Sequence, residues 1–220
     1  MASTSSAAPP NRRLIRRQET VEEALDIAVV IMTEVGVGGL SMSEIARRLG
    51  MRQPSLYKYF PSLHAVYDAL FARGLAHSHA TVLAAAEPQP AGVARIRAGA
   101  NAWVRWAVDH PALAQLLVWR PVPGFVPAEA TFAASVRQMQ QVRAEFTAAV
   151  RLGQLRSAAA GTEALRLYTI VLSGVISQQM ANEPGATYDD GVFSSLTDTA
   201  LDLFFARYTH SGGPDADPRS

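Results

Sequence analysis

The chain contains no cysteine. That excludes disulfides, thiolate metal sites and a cysteine nucleophile, and it fits a reducing compartment. Lysine is almost as scarce. Lys58 is the only one, and arginine supplies the rest of the 20 basic residues. Long apolar runs are missing too: the longest, LYTIVLSGVI at 167–176, is too short to span a bilayer. The start, MASTSSAAPPN, has no apolar stretch of the kind a secretory leader needs, so a cytoplasmic protein without membrane contact is expected. Strand signals are also rare, with no sustained period-2 alternation and no Asn-Gly hairpin. Paired carboxylates, a glycine-rich phosphate loop and a spaced Ser/His/Asp set are absent as well. No catalytic residue, no enzyme activity and no cofactor are therefore expected. His77 and His79 sit two apart on an expected helix and point in different directions, so no metal site is expected there.

What remains is helical. Apolar residues make up 49% of the 220, enough to bury a sizeable core. Val21, Leu25, Ala28, Met32 and Val35 form one stripe at helical spacing. Thr20 and Glu23 read as a capping box at its start. Glycines at 36, 38 and 39 stop it. Ser41 and Glu44 read as a second capping box, opening a short helix over 43–50 with Met42, Ile45, Ala46 and Leu49 inward. Pro54 suits the first turn of a third helix over 53–60, where a missing N–H costs nothing. Pro61 ends that helix, and Ser62 caps a long fourth one to about residue 86. Further helices are expected at 91–109, 111–119, 128–155, 162–182 and 190–208. The fold class is all-α, with about nine helices.

Charge is uneven along this layout. Residues 1–60 carry eight basic against six acidic groups, and 61–220 carry twelve against thirteen. The front therefore suits an anionic partner. Within it, MRQPSLYKYF (51–60) places Leu56 and Phe60 inward and leaves Arg52, Gln53, Pro54, Ser55, Tyr57 and Lys58 on the outer side. Three helices around such a turn make a helix-turn-helix, whose second helix enters the DNA major groove by its N-terminal tip. Gln53 suits a bidentate pair with adenine and Arg52 with guanine. Tyr57, Lys58 and Tyr59 suit phosphates, as does Ser43 on the first turn of the preceding helix. Arg47 and Arg48 either add attraction or simply line a solvated face. The arginines of NRRLIRR (11–17) either reach neighbouring phosphates or form a solvated tail.

Residues 20–66, and above all GLSMSEIARRLGMRQPSLYKYFPSLHAV, resemble the N-terminal DNA-binding domain of the TetR-type transcriptional regulators. The resemblance implies a homodimeric regulator, with a helix-turn-helix head and a helical C-terminal ligand-binding and dimerisation domain. It implies DNA contacts at Ser43, Gln53, Pro54, Ser55, Tyr57 and Tyr59. One departure is Leu63, which stands where the family often carries a phosphate-binding lysine. WAVDHPALAQLLVWRPVPGF (106–125) is similar to the regulatory domain of one branch of the family.

The expected organisation is a disordered tail at 1–11, a DNA-binding domain at 12–61, a regulatory and dimerisation domain at 62–210 and a second disordered tail at 211–220. Trp103, Trp106, His110, Tyr168 and Gln178 are the candidate ligand-binding residues, in a region whose aromatic side chains otherwise serve as core. His110 has a second reading as the N-cap of the helix that begins at Pro111. Helices 162–182 and 190–208 each show more apolar surface than one face can bury, which points to a homodimer interface. The expected function is a regulator, a repressor, on a palindrome-like DNA operator, released by a small, mostly apolar or aromatic effector. The alternatives are an orphan DNA-binding protein without an effector, and a helical enzyme built around His110 or Ser135.

Overall fold

A computed structural model describes residues 12–209. The tails expected at 1–11 and 211–220, and residue 210, lie outside the described residues. Among those described there are nine α-helices and no strand: α1 (Arg12–Val35), α2 (Met42–Arg48), α3 (Gln53–Leu56), α4 (Leu63–Ala86), α5 (Val93–Asp109), α6 (Pro111–Val118), α7 (Glu129–Arg151), α8 (Thr162–Asn182) and α9 (Thr197–Ala206). Short 3-10 turns at Val37–Gly39, Ser157–Ala160 and Ser194–Leu196 join some of them.

The head is α1 to α3. Leu25, Ala28 and Met32 of the expected stripe are buried, together with Ile31, and they pack with Met42, Ile45, Ala46, Leu56 and Phe60. Val35, at the end of the stripe, is exposed. Ser41 caps α2: its hydroxyl accepts from the Glu44 N–H at 3.3 Å. The other half of that box is missing, because the Glu44 carboxylate turns to Arg47 and Arg48. The turn out of α2 is built on Gly50, at φ +69°. Its N–H donates to the Arg47 carbonyl at 3.2 Å, and the Met51 N–H donates to Ala46 at 3.0 Å. A left-handed glycine with these two bonds closes the helix and redirects the chain into α3.

Four expected boundaries are corrected. Thr20 does not start the first helix: α1 already runs at Arg12, and the Thr20 hydroxyl donates back to the Arg16 carbonyl at 3.0 Å. The arginine-rich stretch has no breaker and good helix propensity, so the helix continues through it. The third helix is shorter than 53–60, with α3 giving way to a turn after Leu56. α7 stops at Arg151, not 155, because the chain turns at Gly153 (φ +70°). The last helix starts at Thr197, after the 3-10 turn.

The second core is aromatic. Phe146 of α7 meets Tyr168 of α8 edge-on at 5.4 Å and Phe204 of α9 at 5.8 Å. Ion pairs lace its rim: Arg97 of α5 to Asp198 at 2.9 Å, and Arg105 to Asp189 at 2.7 and 2.8 Å. α4, 24 residues and about 36 Å long, joins head to body. Ser62 caps it, accepting from the Ala65 N–H at 3.1 Å. Two contacts fasten α4 to the head. The Tyr67 hydroxyl donates to the Val37 carbonyl at 2.6 Å, and Arg73 pairs with Asp26. Two others fasten it to α7. Asp68 accepts from the Ala128 N–H at 2.8 Å and the Thr131 hydroxyl at 3.3 Å, and His79 bonds Gln141 at 2.5 Å. No helix of the described residues is long and apolar enough to cross a membrane.

Candidate nucleic-acid interface and ligand cavity

α3 is one turn long, and its placement comes from its two buried anchors. Leu56 is wholly buried and Phe60 nearly so. With these pinned in the head, Arg52, Gln53 and Pro54 are forced outward at the tip. Arg52 is the N-cap and Pro54 stands in the first turn. Gln53 lies one helical turn from Tyr57, its amide 3.4 Å from the exposed Tyr57 hydroxyl. Ser43 is exposed on the first turn of α2, its hydroxyl 3.2 Å from that of Ser41. Ser55 and Tyr59 are half-buried. Ser43, Arg52, Gln53, Pro54, Tyr57 and Lys58 are thus all exposed residues of the head and the turn that follows α3.

The basic groups divide into two kinds. Arg47 and Arg48, left between attraction and a solvated face, are both engaged in ion pairs. Arg47 is bonded to Glu44 at 2.7 and 2.8 Å, and Arg48 to Glu44 at 2.7 Å and to Glu34 at 2.5 and 3.0 Å. The hydrogen bonds from Arg47 and Arg48 hold the Glu44 carboxyl down to about 2, and that from Arg48 also lowers Glu34. This set braces α1 against α2 and carries no net positive charge. Among the described residues, Arg52 and Lys58 make no ion pair. Arg17 belongs to the site indirectly. Its guanidinium donates to the Lys58 carbonyl at 3.0 Å and lies 5.2 Å from the centre of the Tyr59 ring, so it props the chain after α3.

The body contains a cavity of about 580 Å³ walled by α4, α5, α7 and α8, with Leu117 of α6. Trp103 and Tyr168 line it; Trp106, His110 and Gln178 do not. Trp106 is buried in a ring stack between Trp103 and His110, at 5.2 Å from each, and its indole N–H donates to Nδ1 of His77 at 3.2 Å. His110 occupies the N-cap position of α6, as its second reading had it, but its ring makes no capping bond: Nδ1 bonds back to the Trp106 carbonyl at 2.9 Å. Gln178 faces outward and bonds Asn182. The polar lining that sequence reasoning missed includes Ser78, His79, Arg95, Gln138, Gln141 and Glu145. Polar residues at otherwise inward helical positions, such as Ser78 between Leu75 and Val82, were the available signal. No cluster of potential metal ligands occurs among the described residues.

Two family models match the chain. The one for bacterial regulatory proteins of the tetR family covers residues 24–70, and a tetracyclin repressor-like C-terminal domain covers 96–200. The class A tetracycline repressor from transposon 1721 of Escherichia coli is 44% identical over 52 residues, 24% of each chain. The match thus spans about a quarter of that curated relative's length. Among solved structures, the transcriptional regulator FadR of Bacillus subtilis in complex with stearoyl-CoA superposes with a TM-score of 0.70 at 12% identity, covering 84% of this chain and 97% of that one. AibR in complex with isovaleryl coenzyme A and operator DNA superposes at 0.68 with 16% identity, covering 84% and 98%. At these identities the likeness concerns the fold.

Proposed function

The chain belongs to the tetR family of bacterial regulatory proteins, and on that premise we propose that it is a ligand-responsive repressor that binds a palindrome-like DNA operator as a homodimer. The observation that carries this reading is the outward tip Arg52–Gln53–Pro54 over the buried anchors Leu56 and Phe60. Gln53 and Arg52 read base edges in the major groove. Ser43, Pro54, Ser55, Tyr57, Lys58 and Tyr59 set register along the backbone, the polar ones on phosphates. With Arg47 and Arg48 neutralised, Lys58 is the main phosphate cation of this segment.

Two copies are needed to place two tips in successive grooves, about 34 Å or a multiple of that apart. The exposed apolar faces of α8 and α9 support the pairing. Ile170 of α8 is 65% exposed and Leu203 of α9 74%; Leu196, just before α9, is exposed too, and the small Ser173, Gly174 and Ser177 lie on α8. Leu201, Phe205 and Tyr208, on the other stripe of α9, are buried within the chain. The two stripes of the last helix thus have separate uses, one inside the chain and one between copies.

The effector occupies the cavity, and α4 is the lever. One side of α4 is tied to the head through Tyr67 and Arg73, and another to α7 through Asp68 and His79. A ligand that moves α7 pulls on the element that sets the head. It releases DNA only to the extent that it prefers the released placement. The space inside the body speaks against an orphan DNA-binding protein, which would have a filled core. The test is selection of duplexes from a random pool by the purified chain, followed by anisotropy titration of the winner. A sequence-selected duplex bound by two chains supports the reading, and equal binding to all duplexes refutes it.

A further inference from the structure

The cavity's charge balance and one orphan hydroxyl define the chemistry of its occupant, given the reading above that an effector binds there. Tyr168 is 6% exposed and lines the cavity. Its ring is held by Phe146 edge-on at 5.4 Å and by Phe204 at 5.9 Å, so its hydroxyl has little freedom to seek another partner. That hydroxyl makes no hydrogen bond to any described residue. Burial pushes its pKa up, so it stays protonated and able to donate.

The other polar lining groups are occupied or solvated. The Ser78 hydroxyl and the Gln138 amide both donate to the Leu75 carbonyl, at 3.0 Å each. His79 is bonded to Gln141. The Thr169 hydroxyl donates to Arg166 at 2.7 Å. Ser135 and Ser173 are partly open to water.

Arg95 is the one arginine or lysine in the lining, and it is already engaged. It pairs with Glu145 at 3.3 Å and donates to the Gln89 carbonyl at 3.2 Å. The second Glu145 oxygen accepts from the Gly92 N–H at 3.3 Å. Glu87 stands at the exposed end of α4. The lining's carboxylates, Glu87 and Glu145, number two against the one guanidinium. A phosphate or carboxylate ligand finds no free cation here. An ammonium finds one carboxylate spent on Arg95 and another on an exposed residue at the end of α4. Taking either ion out of water unpaired costs far more than the apolar contacts return.

We infer that the cavity takes an uncharged ligand: a mostly apolar body carrying an oxygen acceptor that receives the Tyr168 hydroxyl hydrogen bond. It is not an acyl-coenzyme A site, in contrast to those of the two structural neighbours solved with such thioesters.

A matched twelve-carbon series tests this without DNA: 2-dodecanone, dodecanoate, dodecyltrimethylammonium and dodecanoyl-CoA, each below its micelle-forming concentration. Binding is read by calorimetry and by quenching of tryptophan emission, since Trp103 lines the cavity. The ketone is expected to bind saturably, and the three charged probes at least about tenfold more weakly. Tyr168→Phe should weaken the ketone about three- to tenfold and leave dodecane binding unchanged. A charged probe matching the ketone, no saturable ketone binding, or a ketone affinity indifferent to Tyr168→Phe overturns the inference. Unfolding temperature of the Tyr168→Phe variant checks that its fold is intact. Failure here leaves operator binding untouched, and failure of operator binding leaves these titrations readable.

Discussion

Tyr67→Phe is a small change with a calculable cost. The substitution removes one oxygen and keeps the ring. Tyr67 is 1% exposed, and its hydroxyl donates to the Val37 carbonyl across 2.6 Å, thirty residues away in the chain. Val37 is itself buried. Losing the donor strips a hydrogen bond from a carbonyl that water cannot easily reach, which costs about 1–3 kcal/mol. In a chain of this size that corresponds to a fall in melting temperature of about 2–12 °C. Thermal and urea unfolding of the purified variant give the number, and an unchanged urea m-value shows that stability alone has moved. Tyr57→Phe is the control. Its hydroxyl lies on the open side of the head, so its removal should stay within about 0.5 kcal/mol. If Tyr67→Phe proves as silent as Tyr57→Phe, the bond contributes nothing, and α4 is not tied to the head in the way described.

Four further outcomes follow from the same structure. Gln53→Ala should cost about 1–3 kcal/mol at the selected operator and relax base preference; equal losses on random duplexes would remove Gln53 from base reading. Lys58→Ala should weaken binding to every duplex and make the salt slope shallower by about one, so an unchanged slope rules out its phosphate contact. Leu203→Glu should shift sedimentation from dimer to monomer with little loss of stability, because Leu203 is exposed in the single chain. A dimer that survives places the interface elsewhere. Phe205 is unsuitable for that test, since it is buried in its own chain. Glu44 is held near 2 and Glu34 is also lowered, both below the ordinary value of 4.5. Their contribution to stability is therefore present above 4.5 and is lost as pH falls towards 2. The urea midpoint should drop on acidification more steeply in the unaltered chain than in Glu44→Gln, and parallel curves would discount the brace.

The head was legible because its signals are local. A serine cap before Met42, a glycine after Leu49 and a proline in the first turn of α3 each act within one helical turn. Together with Leu56 and Phe60 they decide which side of α3 faces water. The charge partners were not legible. Arg48 finds Glu34 fourteen residues away, a pairing that no count of basic groups contains. The start of α1 was misplaced because Thr20 and Glu23 satisfy a spacing rule that carries no weight once a helix already runs through them.

The cavity was the least legible part. Its walls come from helices whose mutual rotation is a tertiary property. Trp103 and Trp106 are three residues apart on α5, yet the first lines the cavity and the second fills a ring stack against His77 and His110. Periodicity places both on an apolar side and cannot divide that side between cavity and core. Tyr168 was recognisable as an aromatic in a core helix. Its lack of a hydrogen-bond partner was not, because that depends on what α5 and α7 bring to face it.

The central claim is that the tip at Arg52 and Gln53 enters the major groove once per subunit of a symmetric pair. Hydroxyl-radical footprinting of the full chain on its selected duplex tests it most directly. Two protected patches related by a two-fold axis are predicted, their centres a whole number of helical turns apart at about 34 Å each, both fading in Gln53→Ala. A single patch, or two patches indifferent to substitution of Arg52 and Gln53, would contradict it.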